Sequence, residues 1–310
     1  MTSLDSPTTR PSPGGPRRGT GRTAPARPAR ADTARRRRRA AGLAARYVLL
    51  CCVLALTVGP FLWQLSTSLK GAGERVFGYP PQLLPHHPTL HHYTEVLHTV
   101  PVLHYAGNSL LVALGSVITN CLFGSMAGYA LARMRFRGRG IAVGVFLATM
   151  IIPFESIMVS EFLVARNLHL TNSLIGVMLP LAASGLSVLL MRNAFSRLPR
   201  EVEEAALLDG AGELQRFFRV ALPSVGGSLA AVAIFSFVFA WDDFLWPLVV
   251  LSDPAKYTLT VGIQYLSGTF TDDQRVVAAG TMMAVVPLLV LFFALQRFFF
   301  RGVGEGAVKE

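Results

Sequence analysis

The chain reads as six apolar blocks separated by polar stretches: Tyr47–Leu65, Ser109–Leu131, Ile141–Leu163, Leu174–Met191, Gly226–Leu251 and Val276–Phe300. Each is close to a bilayer in length, since a helix needs roughly 20 apolar residues to cross ~30 Å of hydrocarbon. The blocks lack the two-residue alternation of barrel strands, and a backbone inside lipid must bond internally, so helices are expected. The fold class is therefore all-α: a polytopic membrane protein with six transmembrane helices. The third block carries Pro153 and Glu155 and the fifth carries Asp242 and Asp243, so hydropathy alone supports these two less than the others.

Composition agrees with this pattern. Of 310 residues, 52% are hydrophobic and 15% charged, too apolar for an ordinary soluble domain. The net charge of +11 would suit a nucleic-acid partner, but its distribution argues otherwise. With the N-terminus inside, the spans leave Met1–Arg46, Ala132–Gly140, Arg192–Val225 and Arg301–Glu310 in the cytoplasm. Counted with the flanking arginines, these segments hold 24 of the 29 Lys and Arg, against five outside: Lys70, Arg75, Arg166, Lys256 and Arg275. That asymmetry places both termini of a multi-pass membrane protein in the cytoplasm. No nucleic acid is needed to explain the charge.

Residues 1–42 form a basic tail, rich in Arg, Pro, Ala, Gly and Thr, that cannot bury a core and is expected to be disordered and cytoplasmic, its arginines close to anionic lipid. Its prolines break the amphipathic helix of a transit peptide. Residues 43–310 make the transmembrane domain. The outer stretch Lys70–Tyr105 holds six of the seven histidines, but Cys and Asp are absent and Glu is sparse, so it reads as an interfacial loop and no metal site is assigned. Cys51, Cys52 and Cys121 lie in apolar blocks and imply no disulfide framework. Gly124 and Gly128 make a Gly-x-x-x-Gly pair that lets another helix approach. Lys70, Lys256 and Lys309 follow Leu69, Ala255 and Val308, so the chain has no Gly-Lys pair for a phosphate loop. No catalytic cluster stands out.

The most informative stretch is 198–223. Pro199 suits a first helical turn, and Glu201, Glu203 and Glu204 suit the positive end of the helix dipole. Val202, Ala205 and Ala206 share one face as a small, smooth ridge. Gly210 lets the chain turn, and a second helix follows near Glu213–Val220 before Pro223. The spacing thus gives a helix–turn–helix elbow on the cytoplasmic side.

Glu204-Ala-Ala-x-x-Asp-Gly-Ala211, with Phe217 and Leu222-Pro223, resembles the "EAA" coupling loop of binding-protein-dependent ABC importer permeases. Trp241-Asp-Asp-Phe-Leu-Trp-Pro247, Ser252-Asp-Pro254 before Tyr257-Thr-Leu, and the ending Gln296-Arg-Phe-Phe-Phe-Arg-Gly302 are similar to the carbohydrate-uptake branch, in particular to maltose-type second permease subunits. Ser68-Leu-Lys70, Pro88-Thr-Leu before Tyr93, and Asn108-Ser109 extend the likeness from about Ala44 to the C-terminus. The resemblance implies a permease subunit without its own ATPase site, and a coupling loop in which Glu204, Ala205, Ala206, Asp209, Gly210 and Ala211 meet an ATPase. It also implies a second homologous permease, an ATPase dimer holding ATP and Mg, an extracytoplasmic sugar-binding protein, and alternating access. A permease of the same build for another solute, and an ion-coupled transporter, are the alternatives; the second should show an internal repeat. The sequence departs from the family at Asp242, where Asn is usual, and at Ser160 and Glu161.

A charge at bilayer depth costs at least about 2.5–3.5 kcal/mol, so Asp242 and Asp243 need a reason. They either line the translocation path, with Trp241 stacking on sugar, or reach the outer interface and cap a helix break before Pro247.

Overall fold

The computed structural model describes residues 29–79 and 82–307. The chain divides into two units, residues 1–59 and 60–310. Among the described residues every named element is helical. Helix α1 spans Ala29–Leu69, with Pro60 inside it. It begins upstream of the tail boundary expected at residue 42, because Ala and Arg are strong helix formers and the prolines stop at Pro28. Met1–Pro28, the rest of the expected disordered tail, lies outside the described residues. The first unit carries its apolar side chains outward: Tyr47, Leu50 and Leu54 are exposed, as a lipid-facing helix requires.

In the second unit, α2 (His91–Thr99) leads to α3 (Val102–Thr119), a π-helical turn at Asn120–Gly124, and α4 (Ser125–Arg133). Next come α5 (Arg139–Ile151), α6 (Phe154–Asn167), α7 (Leu174–Met178) and α8 (Gly185–Ser196). The elbow contains α9 (Arg200–Leu208), α10 (Glu213–Gln215), a π-helical turn at Arg216–Ala221 and α11 (Leu222–Ser224). The remainder is α12 (Gly226–Asp242), α13 (Leu245–Val250), α14 (Leu259–Tyr265) and α15 (Gln274–Ala307).

Three of the six apolar blocks form helices long and apolar enough to span: Ala41–Leu69, Val102–Arg133 and Gln274–Ala294. Two bent pairs, Arg139–Ile151 with Phe154–Asn167 and Glu213–Ser224 with Gly226–Asp242, raise that to at most five. The third block turns by 106° because Pro153 forces Ile152 into an extended conformation (ψ 118°), which ends α5. The fourth block, expected as one helix, is α7 and α8 separated by residues 179–184. The fifth breaks after Asp242 and resumes at Leu245.

The break between α7 and α8 is held by Asn120, which is buried. Its amide donates to the carbonyls of Ser116 (2.9 Å) and Leu181, and its oxygen accepts from the Ser184 backbone N–H at 2.9 Å. Interrupted helix inside a membrane needs such internal partners. Gly124 and Gly128 both face α8, so the Gly-x-x-x-Gly pair is a contact surface. One apolar core gathers Val96, Tyr105, Val112, Trp246, Leu259 and Val276. A second, towards the elbow, gathers Tyr129, Met191, Phe195, Phe217, Ala221 and Val232.

Several motifs named above are staples of the fold. Ser68 shares a hydrogen bond with the Tyr93 hydroxyl at 2.8 Å, and a His92 ring nitrogen lies 2.9 Å from the Lys70 carbonyl. The Asn108 amide donates to the carbonyls of Ala255 (3.1 Å) and Tyr257 (3.0 Å), and Ser109 Oγ accepts from the Leu259 N–H at 2.8 Å. The histidine-rich loop is tied by Glu74, whose carboxylate accepts from the backbone N–H groups of Gly71, His86 and His87. Those N–H groups, His86 first and His87 next, hold its pKa down to about 2.

Candidate functional site

The elbow is built from local rules. Pro199 stands at the N-cap of α9 with extended ψ (140°), and Glu201 and Glu203 occupy the first turn, where the dipole favours acid. The helix ends in a Schellman arrangement. The Ala211 N–H donates to the Ala206 carbonyl and the Gly210 N–H to the Leu207 carbonyl, both at 3.0 Å. Gly210 has φ +79°, a left-handed conformation that a side chain would strain. Asp209 is the C-cap, and the Gly212 N–H is met by Gln215 Oε1 at 3.2 Å as the return limb begins. The expected second helix near Glu213–Val220 is present, widened into a π-helical turn at Arg216–Ala221 and carried on to Ser224, past Pro223.

The root of the elbow is buried and its tip is bare. Phe217 stands 5.3 Å from Tyr129 and 6.1 Å from Phe195, ring centre to ring centre. Arg133 donates through Nη2 to the Leu198 carbonyl at 2.5 Å. Its Nε faces Glu203 Oε1 at 3.1 Å as an ion pair, off the line of a hydrogen bond. Arg133, Arg135, Arg200 and Arg216 share a cleft of about 180 Å³ with Glu203 and Glu204. At the tip Leu208 is 89% exposed, and Val202, Leu207, Leu214 and Phe218 are also exposed, as are Glu204, Ala205, Asp209 and Gly210. Ala206 and Ala211 are half-buried at the turn. An apolar ridge carried on polar edges, with its base clamped, is a shape for docking into a cleft.

The second group, Trp241, Asp242 and Asp243, lies at the other end of α12, about 24 Å from its start. Trp241 is buried, stacked on Phe237 at 5.6 Å, and its indole donates to the Ala284 carbonyl at 3.2 Å. It lines an apolar groove of about 860 Å³ between α3, α12 and α15, whose wall does not include Asp242 or Asp243. Trp246 is buried too and donates to the Gly176 carbonyl at 3.1 Å. Asp242 is exposed at the end of α12. Asp243 is half-buried, and its backbone carbonyl accepts from Thr260 Oγ1 at 2.8 Å.

Reading the sequence did not single out Arg133, Tyr129 or Asn120. An arginine at a helix end reads in sequence like any other basic residue flanking an apolar block, and its clamp joins residues 65 and 70 positions apart.

Comparison with known proteins places this architecture. Residues 121–305 match the family described as binding-protein-dependent transport system inner membrane component. The sulfoquinovosyl glycerol transport system permease protein SmoH of Agrobacterium fabrum is 32% identical over 85% of this chain and 93% of its own length. The arabinooligosaccharides transport system permease protein AraQ of Halalkalibacterium halodurans is 38% identical over 66% of this chain and 73% of its own. A chain from the crystal structure of a bacterial ABC transporter that imports the acidic polysaccharide alginate superposes with a TM-score of 0.75. It is 25% identical and is covered over 97% of its length by 84% of this one. The chain is a member of the binding-protein-dependent transport system inner membrane component family.

Proposed function

We propose that this chain is one of two permease subunits of an ATP-driven sugar importer, with both termini cytoplasmic. A second homologous permease completes the path. A separate ATPase pair holds ATP and Mg, and an extracytoplasmic binding protein delivers the sugar. The observation that carries the reading is the elbow: an exposed apolar tip at Val202, Leu207 and Leu208 on a root fixed by Phe217 and Arg133. ATPase closure draws the stretch from Glu204 to Ala211 inward, and the helices joined to it swing as rigid bodies to change the accessible side. The names of SmoH and AraQ, and the alginate importer, support a carbohydrate. Asp242 and Asp243 are proposed to face the path, where carboxylates accept hydrogen bonds from hydroxyls.

The test is reconstitution of the chain with its partner subunits in liposomes, with labelled oligosaccharide and binding protein outside and ATP inside. Uptake that requires both ATP and binding protein is expected. Uptake driven by an ion gradient without ATP would contradict the proposal.

A further inference from the structure

The limbs of the elbow are joined in sequence to α8 and α12, yet both also rest on a third helix to which they have no chain connection. Tyr129 and Arg133 are four residues apart on α4, hence stacked on one face. Arg133 holds the outgoing limb through the Leu198 carbonyl and Glu203, with the paired side chains only 11% and 13% exposed. Tyr129 holds the return limb through Phe217 and reaches α8 through Phe195, at 5.3 and 5.4 Å. Glu203 therefore points inward, whereas its neighbour Glu204 is exposed. A guanidinium suits this place because its fork serves a carbonyl and a carboxylate at once, which a lysine ammonium does less well.

α4 is also the end of a longer rod. Val102–Arg133 is one continuous stretch of 32 residues. Near its other end Asn108 and Ser109 bond the segment at Ala255–Leu259. A displacement of α9 that is gripped at Arg133 is thus delivered to the opposite end of the fold.

Resting on the coupling reading above, we propose that α4 is the element through which movement of the elbow enters the membrane helices, and that Arg133 is the positioning residue that fastens α9 to it. Both limbs move α4 as a unit, because one face of it carries both contacts.

The experiment is hydrogen–deuterium exchange on the assembled transporter in nanodiscs, with and without a non-hydrolysable ATP analogue. In the wild type, exchange should change in residues 200–221 and in residues 125–134. In Arg133→Gln the change at 200–221 should persist and that at 125–134 should fall to the smaller part that the Tyr129–Phe217 contact still transmits. Glu203→Gln, which leaves the Leu198 bond in place, should weaken the second response without abolishing it, and it carries the test if Arg133→Gln loosens α4 before nucleotide is added. A full response at 125–134 in both variants would overturn the assignment of α4. Absence of any response at 200–221 in the wild type would instead overturn the coupling reading, and this proposal with it.

Discussion

Gly128 and Met191 meet so closely that a Cβ on the glycine would lie 2.7 Å from the methionine Cβ, with the Arg192 amide nitrogen at 2.8 Å. This contact seats α4 on α8 directly above the elbow. Gly128→Ala therefore overpacks against backbone as well as side chain, a change worth about 1–3 kcal/mol. Thermal unfolding of the purified protein in detergent should shift down for Gly128→Ala and much less for Gly107→Ala, where nothing lies within 4 Å of the added carbon. Equal shifts would show that the close approach is absent.

Asn120 serves the broken fourth block, and its loss strands buried backbone. Asn120→Leu leaves the Ser184 N–H without its partner, at about 1–3 kcal/mol for a buried group left unsatisfied, and leaves the Leu181 carbonyl only the longer bond from Ser116 Oγ at 3.3 Å. The amide of Ser184 should exchange faster in the variant. Unchanged exchange there would mean that the segment finds its partners elsewhere.

The tie at Glu74 makes a pH prediction. Its pKa is lowered to about 2 from an ordinary 4.5, so its contribution to order in the loop is complete above the ordinary value and lost as pH falls through the lowered one. The backbone amides of His86 and His87 should keep their protection, corrected for intrinsic rates, from pH 7 to pH 5. Glu74→Gln should weaken it across that range, because a carboxamide offers one accepting oxygen where the carboxylate offers two. Protection that vanishes near pH 6 would assign the tie to histidine instead.

Much of this was legible in the sequence, and what was not has physical causes. The elbow could be read because its signals are local: Pro199 starts α9, glutamates fill the first turn and Gly210 ends it. Pro153 announced trouble in the third block but not a turn of 106°. The break between α7 and α8 lay hidden within an apolar run, since Asn120, the residue that makes it tolerable, comes some 60 positions earlier. Ser68, Tyr93, Asn108 and Ser109 could be quoted as motifs, but their work as staples depends on partners distant in sequence.

Asp242 and Asp243 test the path. Asp242→Asn changes charge with little change of size. A desolvated, charge-assisted hydrogen bond is worth roughly 1.5–3 kcal/mol, so losing one should raise the half-saturating sugar concentration about tenfold or more. Asp243→Asn is the companion measurement, since Asp243 is half-buried and Asp242 exposed. Normal uptake by both variants would remove the pair from the path.

Gly210→Pro removes the N–H that bonds Leu207 and demands a φ near −65° where the chain has +79°. Glu204→Lys reverses an exposed charge on the same turn. Both variants should reach the membrane and assemble, with uptake and transport-linked ATP hydrolysis lost. Uptake at the wild-type rate in both would remove the elbow from coupling.

The most direct measurement places a photo-cross-linking residue at Leu208, the most exposed large apolar side chain of the elbow at 89%. In the assembled transporter, illumination should join this chain to the ATPase subunit, with a yield that changes when an ATP analogue is added. Efficient labelling of lipid or of this chain alone, with no ATPase adduct in either nucleotide state, would contradict the account.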